Sequence, residues 1–203
     1  MTGAGVMKTE RLLCVVLAFV ALVGCSSERA EEILNDTVVV ERLGTLPELI
    51  GAPVISEDGL RLAFVTRRDR GVCVFVDGEK GPAYEGILVG TPVFSSCGKR
   101  IAYGAQKGQK WHVIVDGEEG LAYDGITDLR FSPDGERVAY SAQKGQEWHV
   151  IVDGEEGPAY DGIGAESLCF SPDGDRVAYA ALKGEKMHVV IDGVEGPPYD
   201  GIM

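Results

Sequence analysis

A chain of 203 residues with a formal net charge of −13 and 45% hydrophobic residues has the length of one domain, which would bury roughly 70% of its unfolded surface. The acidic balance excludes nucleic acid as a partner, because phosphate binding needs a basic footprint that releases counterions. It equally excludes a purely electrostatic hold on anionic lipid.

Residues 1–24 have the layout of an export signal. Lys8 and Arg11 form a positive flank, and Leu12 to Gly24 is an apolar run of about 13 residues, short of the ~18–20 that span a bilayer. The run ends Leu22-Val23-Gly24-Cys25-Ser26-Ser27. That ending resembles the lipobox of bacterial lipoproteins, which implies cleavage before Cys25 and acylation of its thiol and new amino group. Several acyl chains on one residue give stable anchoring, where a single chain is marginal. Ser26 resembles the pattern that directs such proteins to the outer membrane, so the resemblance implies a lipid anchor on its periplasmic face. Residues 25–49 read as the lipidated N-terminus and a tether, with Ser27 and Glu31 as a capping pair before Ile33-Leu34. Thr37 to Leu43 is β-branched and reads as one extra strand.

Residues 50–202 are four copies of one unit, divided as 50–87, 88–126, 127–163 and 164–202. Three markers keep step: Asp77, Asp116, Asp153 and Asp192; Arg61, Arg100, Arg137 and Arg176; Tyr84, Tyr123, Tyr160 and Tyr199. Their spacing is 39, 37 and 39 residues at every marker, and a period near 40 with strand-like text predicts four-stranded propeller blades. In the third copy the strands are expected at Asp128–Phe131, Arg137–Ala142, Trp148–Val152 and Pro158–Asp161. The turns between them are Ser132-Pro133-Asp134-Gly135, Lys144-Gly145-Gln146 and Asp153-Gly154. Runs such as Val113-Ile114-Val115 suit strands covered on both faces.

Phe131-Ser132-Pro133-Asp134-Gly135 followed by Arg137-Val138-Ala139-Tyr140, and its copy from Phe170 to Tyr179, resemble the WD40-like repeat of TolB-type bacterial propellers. The resemblance implies an all-β, propeller-like array of four four-stranded blades. Propellers of that type typically have six or more, so ring closure by four stays open. It specifies the fold and not the task.

Chemistry-bearing residues are few. His112, His149 and His188 share one repeat phase with Cys73, but equivalent positions on separate blades stand far beyond ligand distances of about 2 Å, so a structural role is expected and no metal. Asp116-Gly117-Glu118-Glu119 and Asp153-Gly154-Glu155-Glu156 lack calcium-loop spacing and read as solvated hairpin turns. No G-x-S-x-G elbow or phosphate loop is present. Cys73, Cys97 and Cys169 fall at different phases and read as small buried residues and a turn residue, not a disulfide framework. Neither an enzyme nor a cofactor is expected.

In a four-stranded meander the first and third turns share one rim, and the middle turn shares the other with the link between blades. The first rim is expected to be acidic, through Asp134, Asp153, Glu155 and Glu156. The second gathers Arg67, Arg68, Lys107, Lys110, Lys144, Lys183 and Lys186 among Asp124, Asp161 and Asp200. Tyr140, Tyr160, Tyr179 and Trp148 are the expected cement between blades. The expected function is a non-enzymatic, membrane-anchored scaffold for protein partners in the bacterial envelope, binding through Arg68, Lys107, Lys144 and Lys183. The alternatives are a carbohydrate-binding or glycan-acting channel, which the apolar Val93, Leu129 and Leu168 disfavour, and a shortened array stable only as an oligomer.

Overall fold

The computed structural model of the protein describes residues 48–68 and 71–200. Cys25, the tether and the strand expected at Thr37 to Leu43 lie outside them. Every regular element among the described residues is a strand. The first sheet contains β1 (Glu48–Leu49), β2 (Val54–Ile55), β3 (Leu62–Arg68), β4 (Gly71–Val76) and β5 (Glu79–Tyr84). The second contains β6 (Gly86–Ile87), β7 (Val93–Phe94), β8 (Ile101–Lys107), β9 (Lys110–Val115) and β10 (Glu118–Tyr123). The third contains β11 (Gly125–Phe131), β12 (Val138–Lys144), β13 (Glu147–Val152) and β14 (Glu155–Glu156). The fourth contains β15 (Gly162–Ile163), β16 (Cys169–Phe170), β17 (Val177–Lys183), β18 (Lys186–Ile191) and β19 (Val194–Tyr199).

Each sheet is an antiparallel meander whose first position is one strand or two short pieces on the same neighbour. The repeat is therefore a four-stranded blade, and the chain is a propeller-like array of four. The turn chemistry explains why each copy folds alike. Ser132 donates its hydroxyl to Asp134 at 2.5 Å and accepts the Arg137 N–H at 2.9 Å, while Gly135 takes a left-handed φ of 77°. Asp153 and Gly154 are both left-handed, at φ 52° and 85°, as a two-residue hairpin turn requires. Asp153 also accepts the Val138 N–H at 2.9 Å and the Arg137 Nε–H at 2.8 Å. That carboxylate ties the third turn to the start of the second strand, and Asp77, Asp116 and Asp192 do the same.

Two strand limits differ from those read on the sequence. The fourth strand of the third copy begins at Glu155 and not Pro158, because so tight a turn lets Glu155 pair with Val152 at once; Tyr160 then returns as an isolated bridge to Trp148. The first strand reaches back from Asp128 to Gly125, so the sheets start at Gly86, Gly125 and Gly162. The shorter spacing of 37 residues also finds its place here. In sheets two and four the first strand is broken by a projecting link, Leu88–Pro92 and Gly164–Leu168. In sheet three β11 runs unbroken, and Asp128 absorbs a register shift at φ 55°.

The core is three apolar layers between consecutive sheets, joining sheet one to two, two to three and three to four. Ala63, Ala102, Ala105, Ala139, Ala142 and Ala181 are fully buried; small residues at these positions let two sheets approach while the tyrosines fill the space between them. Tyr140, Tyr160 and Tyr179 are buried as expected, and Trp148 is half-buried.

Candidate functional site

The lysines of the expected binding rim are engaged within the chain. Lys107 ion-pairs with Glu119, Lys144 with Glu156 at 3.1 Å, and Lys183 with Glu195 at 2.7 Å. The ammonium groups hold the carboxyls of Glu119 and Glu195 below the usual carboxylate range. Arg68 closes β3, paired with Gly71. The expected segregation of charge between rims fails at these pairs. Glu156, expected on the acidic rim, sits along its strand where the long Lys144 side chain reaches it.

The turns themselves partition as read. Lys110 meets Asp124 at 2.6 Å, and Asp124 also accepts the N–H of Gly145, in the next sheet, at 2.8 Å. The histidines hold strands. Nδ1 of His112, His149 and His188 lies 3.1, 3.0 and 3.0 Å from the carbonyl oxygens of Gly120, Gly157 and Gly196. These glycines sit on the fourth strand of each sheet or its continuation, and the contact fastens it to the third. Among the described residues no group of His, Cys, Asp and Glu has a metal-binding arrangement. Cys73 is buried, whereas Cys97 and Cys169 are exposed, and all three are free thiols. Exposed Cys169 departs from the buried role read for it.

A concave feature among the described residues lies elsewhere. An open groove of about 510 Å³ is lined by Leu88, Val89, Gly90 and Thr91 from the β6–β7 link, by Thr127 to Arg130 of β11, and by Glu166 of the β15–β16 link. It thus collects the first strands of three successive sheets, the edge that lines a propeller's axis. Val89 is 96% exposed, which is unusual for a branched apolar side chain. Asp128 accepts the Glu166 N–H at 3.2 Å and so joins sheet three to sheet four at the groove wall. The Arg130 Nε is buried with no hydrogen-bond partner among the described residues. Two carboxylates, one guanidinium, two threonines and a bare valine suit a ligand with both apolar and polar parts.

Sequence reasoning passed over this site. Val93, Leu129 and Leu168 make the first strands look apolar, yet buried Leu129 shares the groove wall with the polar Thr127, Asp128 and Arg130. The groove is built from the positions where the copies disagree, and the one signal for it was the two-residue change of period.

The chain matches no family model and no curated protein. The solved structures that align with it include β-propeller domains. The β-propeller domain of the Trilobed protease from Pyrococcus furiosus, described as having an open velcro topology, aligns over 78% of this chain and 58% of its own, with 13% identity and a TM-score of 0.52. TolB from Acinetobacter baumannii aligns over 74% of this chain and 43% of its own, with 16% identity and a TM-score of 0.46. The propeller domain of Cps50 (Swd1) from Myceliophthora thermophila aligns over 70% and 57%, with 13% identity and a TM-score of 0.39. The chain therefore spans about half the length of the propellers it resembles, and at such identities the likeness concerns the fold.

Proposed function

We propose that this chain is a non-catalytic recognition module of the bacterial envelope, tethered to the membrane through acylated Cys25. It binds an extended segment of a partner protein along the axial groove. The observation that carries this reading is the groove itself, where exposed Val89 lies beside Asp128, Arg130 and Glu166. A rigid, preformed concavity orders little of the protein on binding, which preserves affinity for a flexible peptide. The charge of the chain, −13, favours a basic partner by complementarity and steers its approach. Apolar residues for Val89 and Leu88, with a lysine or arginine for Asp128 and Glu166, describe the segment expected. The lysine rim is the weaker surface, because its ammonium groups already face Glu119, Glu156 and Glu195.

A peptide array probed with the full chain tests this. Binders should be lost on Val89→Asp and on Glu166→Lys and kept on Lys144→Glu. Loss on Lys144→Glu with retention on Val89→Asp returns the site to the rim. Binding of glycans in place of peptides through the same groove residues selects the carbohydrate alternative.

A further inference from the structure

Each junction between the described sheets is built from the same parts, and the outer faces of the first and fourth sheets each carry one half of them. At the junctions a tyrosine ending the fourth strand packs on a tyrosine of the next sheet's second strand. Tyr84, Tyr123 and Tyr160 are at most 5% exposed there, whereas Tyr199, the fourth copy of that residue, is 45% exposed. Val189 is 36% exposed, while its counterparts Val74, Val113 and Val150 are at most 2% exposed.

The polar parts repeat the pattern. Arg61, Arg100 and Arg137 each send Nη1–H to backbone carbonyls of the next sheet's first turn: Gly98 and Lys99, Glu136, Gly174 and Asp175. Arg176 pairs with Asp192 and reaches no such turn among the described residues, and its side chain is 61% exposed. Asp124 and Asp161 accept the N–H of Gly145 and Gly184 in the next sheet. Asp200, their counterpart, has a side chain 93% exposed.

The outer face of sheet one carries the complementary half, without the neighbour that covers it at the other junctions. Gly98, Gly135 and Gly174 each have side-chain atoms of the preceding turn within 3.1 Å of a Cβ position, whereas nothing lies within 4 Å at Gly59. Phe64 of β3 occupies the place held by Tyr103, Tyr140 and Tyr179, and it stacks on Phe75 with ring centroids 5.1 Å apart. Arg67, near the end of β3, is exposed on the side that an incoming Asp200 would reach.

From this complementarity we infer that two copies of the chain join head to tail: sheet four of one copy packs on sheet one of its partner. Tyr199 then meets Phe64, Arg176 reaches the carbonyls of Gly59 and Leu60, and Asp200 faces Arg67. The contact is heterologous, and repeating it once in a pair of copies closes it into a ring. The inference rests on the fold and is independent of what the groove binds.

The internal junctions supply the test. Ser96 donates to the carbonyl oxygen of Pro133 at 2.6 Å between neighbouring turns, and the corresponding pair at the new junction is Pro172 with Glu57, both exposed. Full-length Glu57→Cys and isotopically heavy full-length Pro172→Cys are mixed in detergent, mildly oxidised and digested, and the linked peptides are weighed. The expected product is a light–heavy 57–172 disulfide. Its yield should fall about tenfold when Tyr199→Asp is added to the heavy chain. Links of 57–57 or 172–172 alone, or no 57–172 link, overturn the inference. So does a 57–172 link formed within one copy of the double variant, since the array then closes on itself. Both cysteines sit in exposed turns, and the Ser95-Ser96-Cys97 turn of sheet two shows that the position of Pro172 tolerates another residue.

Discussion

Tyr123 at the end of β10 and Tyr140 of β12 meet with ring centroids 6.1 Å apart and planes at 73°. Tyr84 with Tyr103 and Tyr160 with Tyr179 repeat the geometry at 6.1 Å and 71°, and at 6.0 Å and 76°. Such edge-on contacts add to the burial that already holds two sheets together. Tyr140→Ala should therefore cost about 3–5 kcal/mol, in line with other large aromatic truncations. Tyr123→Phe should cost far less, because the buried ring is kept and only the contact between the Tyr123 and Tyr140 hydroxyls is lost. Urea unfolding of the two variants checks both, and a large loss for Tyr123→Phe contradicts the apolar account of the junction.

The carboxylate at the third turn makes a different kind of prediction. Asp153 holds a left-handed φ of 52° while accepting from Val138 N and Arg137 Nε. Alanine there loses both bonds and is placed where a Cβ is disfavoured, so Asp153→Ala should destabilise by about 2–4 kcal/mol. Asn keeps the backbone tolerance and one acceptor, and Asp153→Asn should recover part of the loss. Equal losses in chemical denaturation would assign the effect to the ion pair alone.

Legibility in the sequence followed repetition. The turns Ser132 to Gly135 and Asp153-Gly154 were readable because each residue type serves one backbone need, and the sheets followed from them. What the repeats share is packing, so Tyr140, Tyr160 and Tyr179 were legible as the cement between sheets. The groove was hidden because Leu88 to Thr91, Thr127 to Arg130 and Glu166 differ between copies, and alignment treats difference as noise. The Lys144–Glu156 pair was hidden for another reason: strand topology puts the two residues at different heights, and only side-chain length brings them together. Copy one departs most, with Phe64, Cys73 and Lys80 where the others have Tyr, His and Glu. Those substitutions set the first sheet apart from the other three.

Acid should weaken the array in a defined direction. The Ser132 and Ser171 hydroxyls, with the Glu136 and Asp175 N–H groups, hold the carboxyls of Asp134 and Asp173 below their ordinary value. Lys107 and Lys183 do so for Glu119 and Glu195. A carboxyl depressed on folding contributes stability that is full above its unfolded value, about 4, and is lost as pH falls through the folded value. Tm should be level near neutrality and fall below about pH 4. Ser132→Ala removes the largest cause of the Asp134 shift and should shallow that fall. At the other extreme, burial pushes the hydroxyls of Tyr103, Tyr140 and Tyr179 far above their ordinary value. A tyrosine kept neutral on folding contributes stability that is lost once pH exceeds about 10, where the unfolded chain ionises. Thermal unfolding across the pH range reads both limbs.

Gly104 links core packing to the groove. It lies in β8, and a Cβ built there would stand 2.7 Å from Leu88 Cβ and 3.0 Å from Leu88 Cδ2. The first of these is closer than side-chain atoms approach, and Leu88 Cβ is fixed to the backbone of the groove wall, so the wall must shift. Leu88 also donates its N–H to the Gly104 carbonyl at 2.9 Å, and Thr91 closes on the Leu88 carbonyl through its hydroxyl at 2.6 Å. A displacement at Leu88 therefore carries Val89 and Thr91 with it. Gly104→Ala should cost about 1–3 kcal/mol as overpacking and should weaken binding in the groove. Gly108→Ala is the control. It meets nothing within 4 Å at φ 60°, so its cost is local backbone strain of about 1 kcal/mol, with groove affinity unchanged. Measuring stability and peptide binding on both variants separates the effects. If the two lose affinity equally, Leu88 does not position the wall.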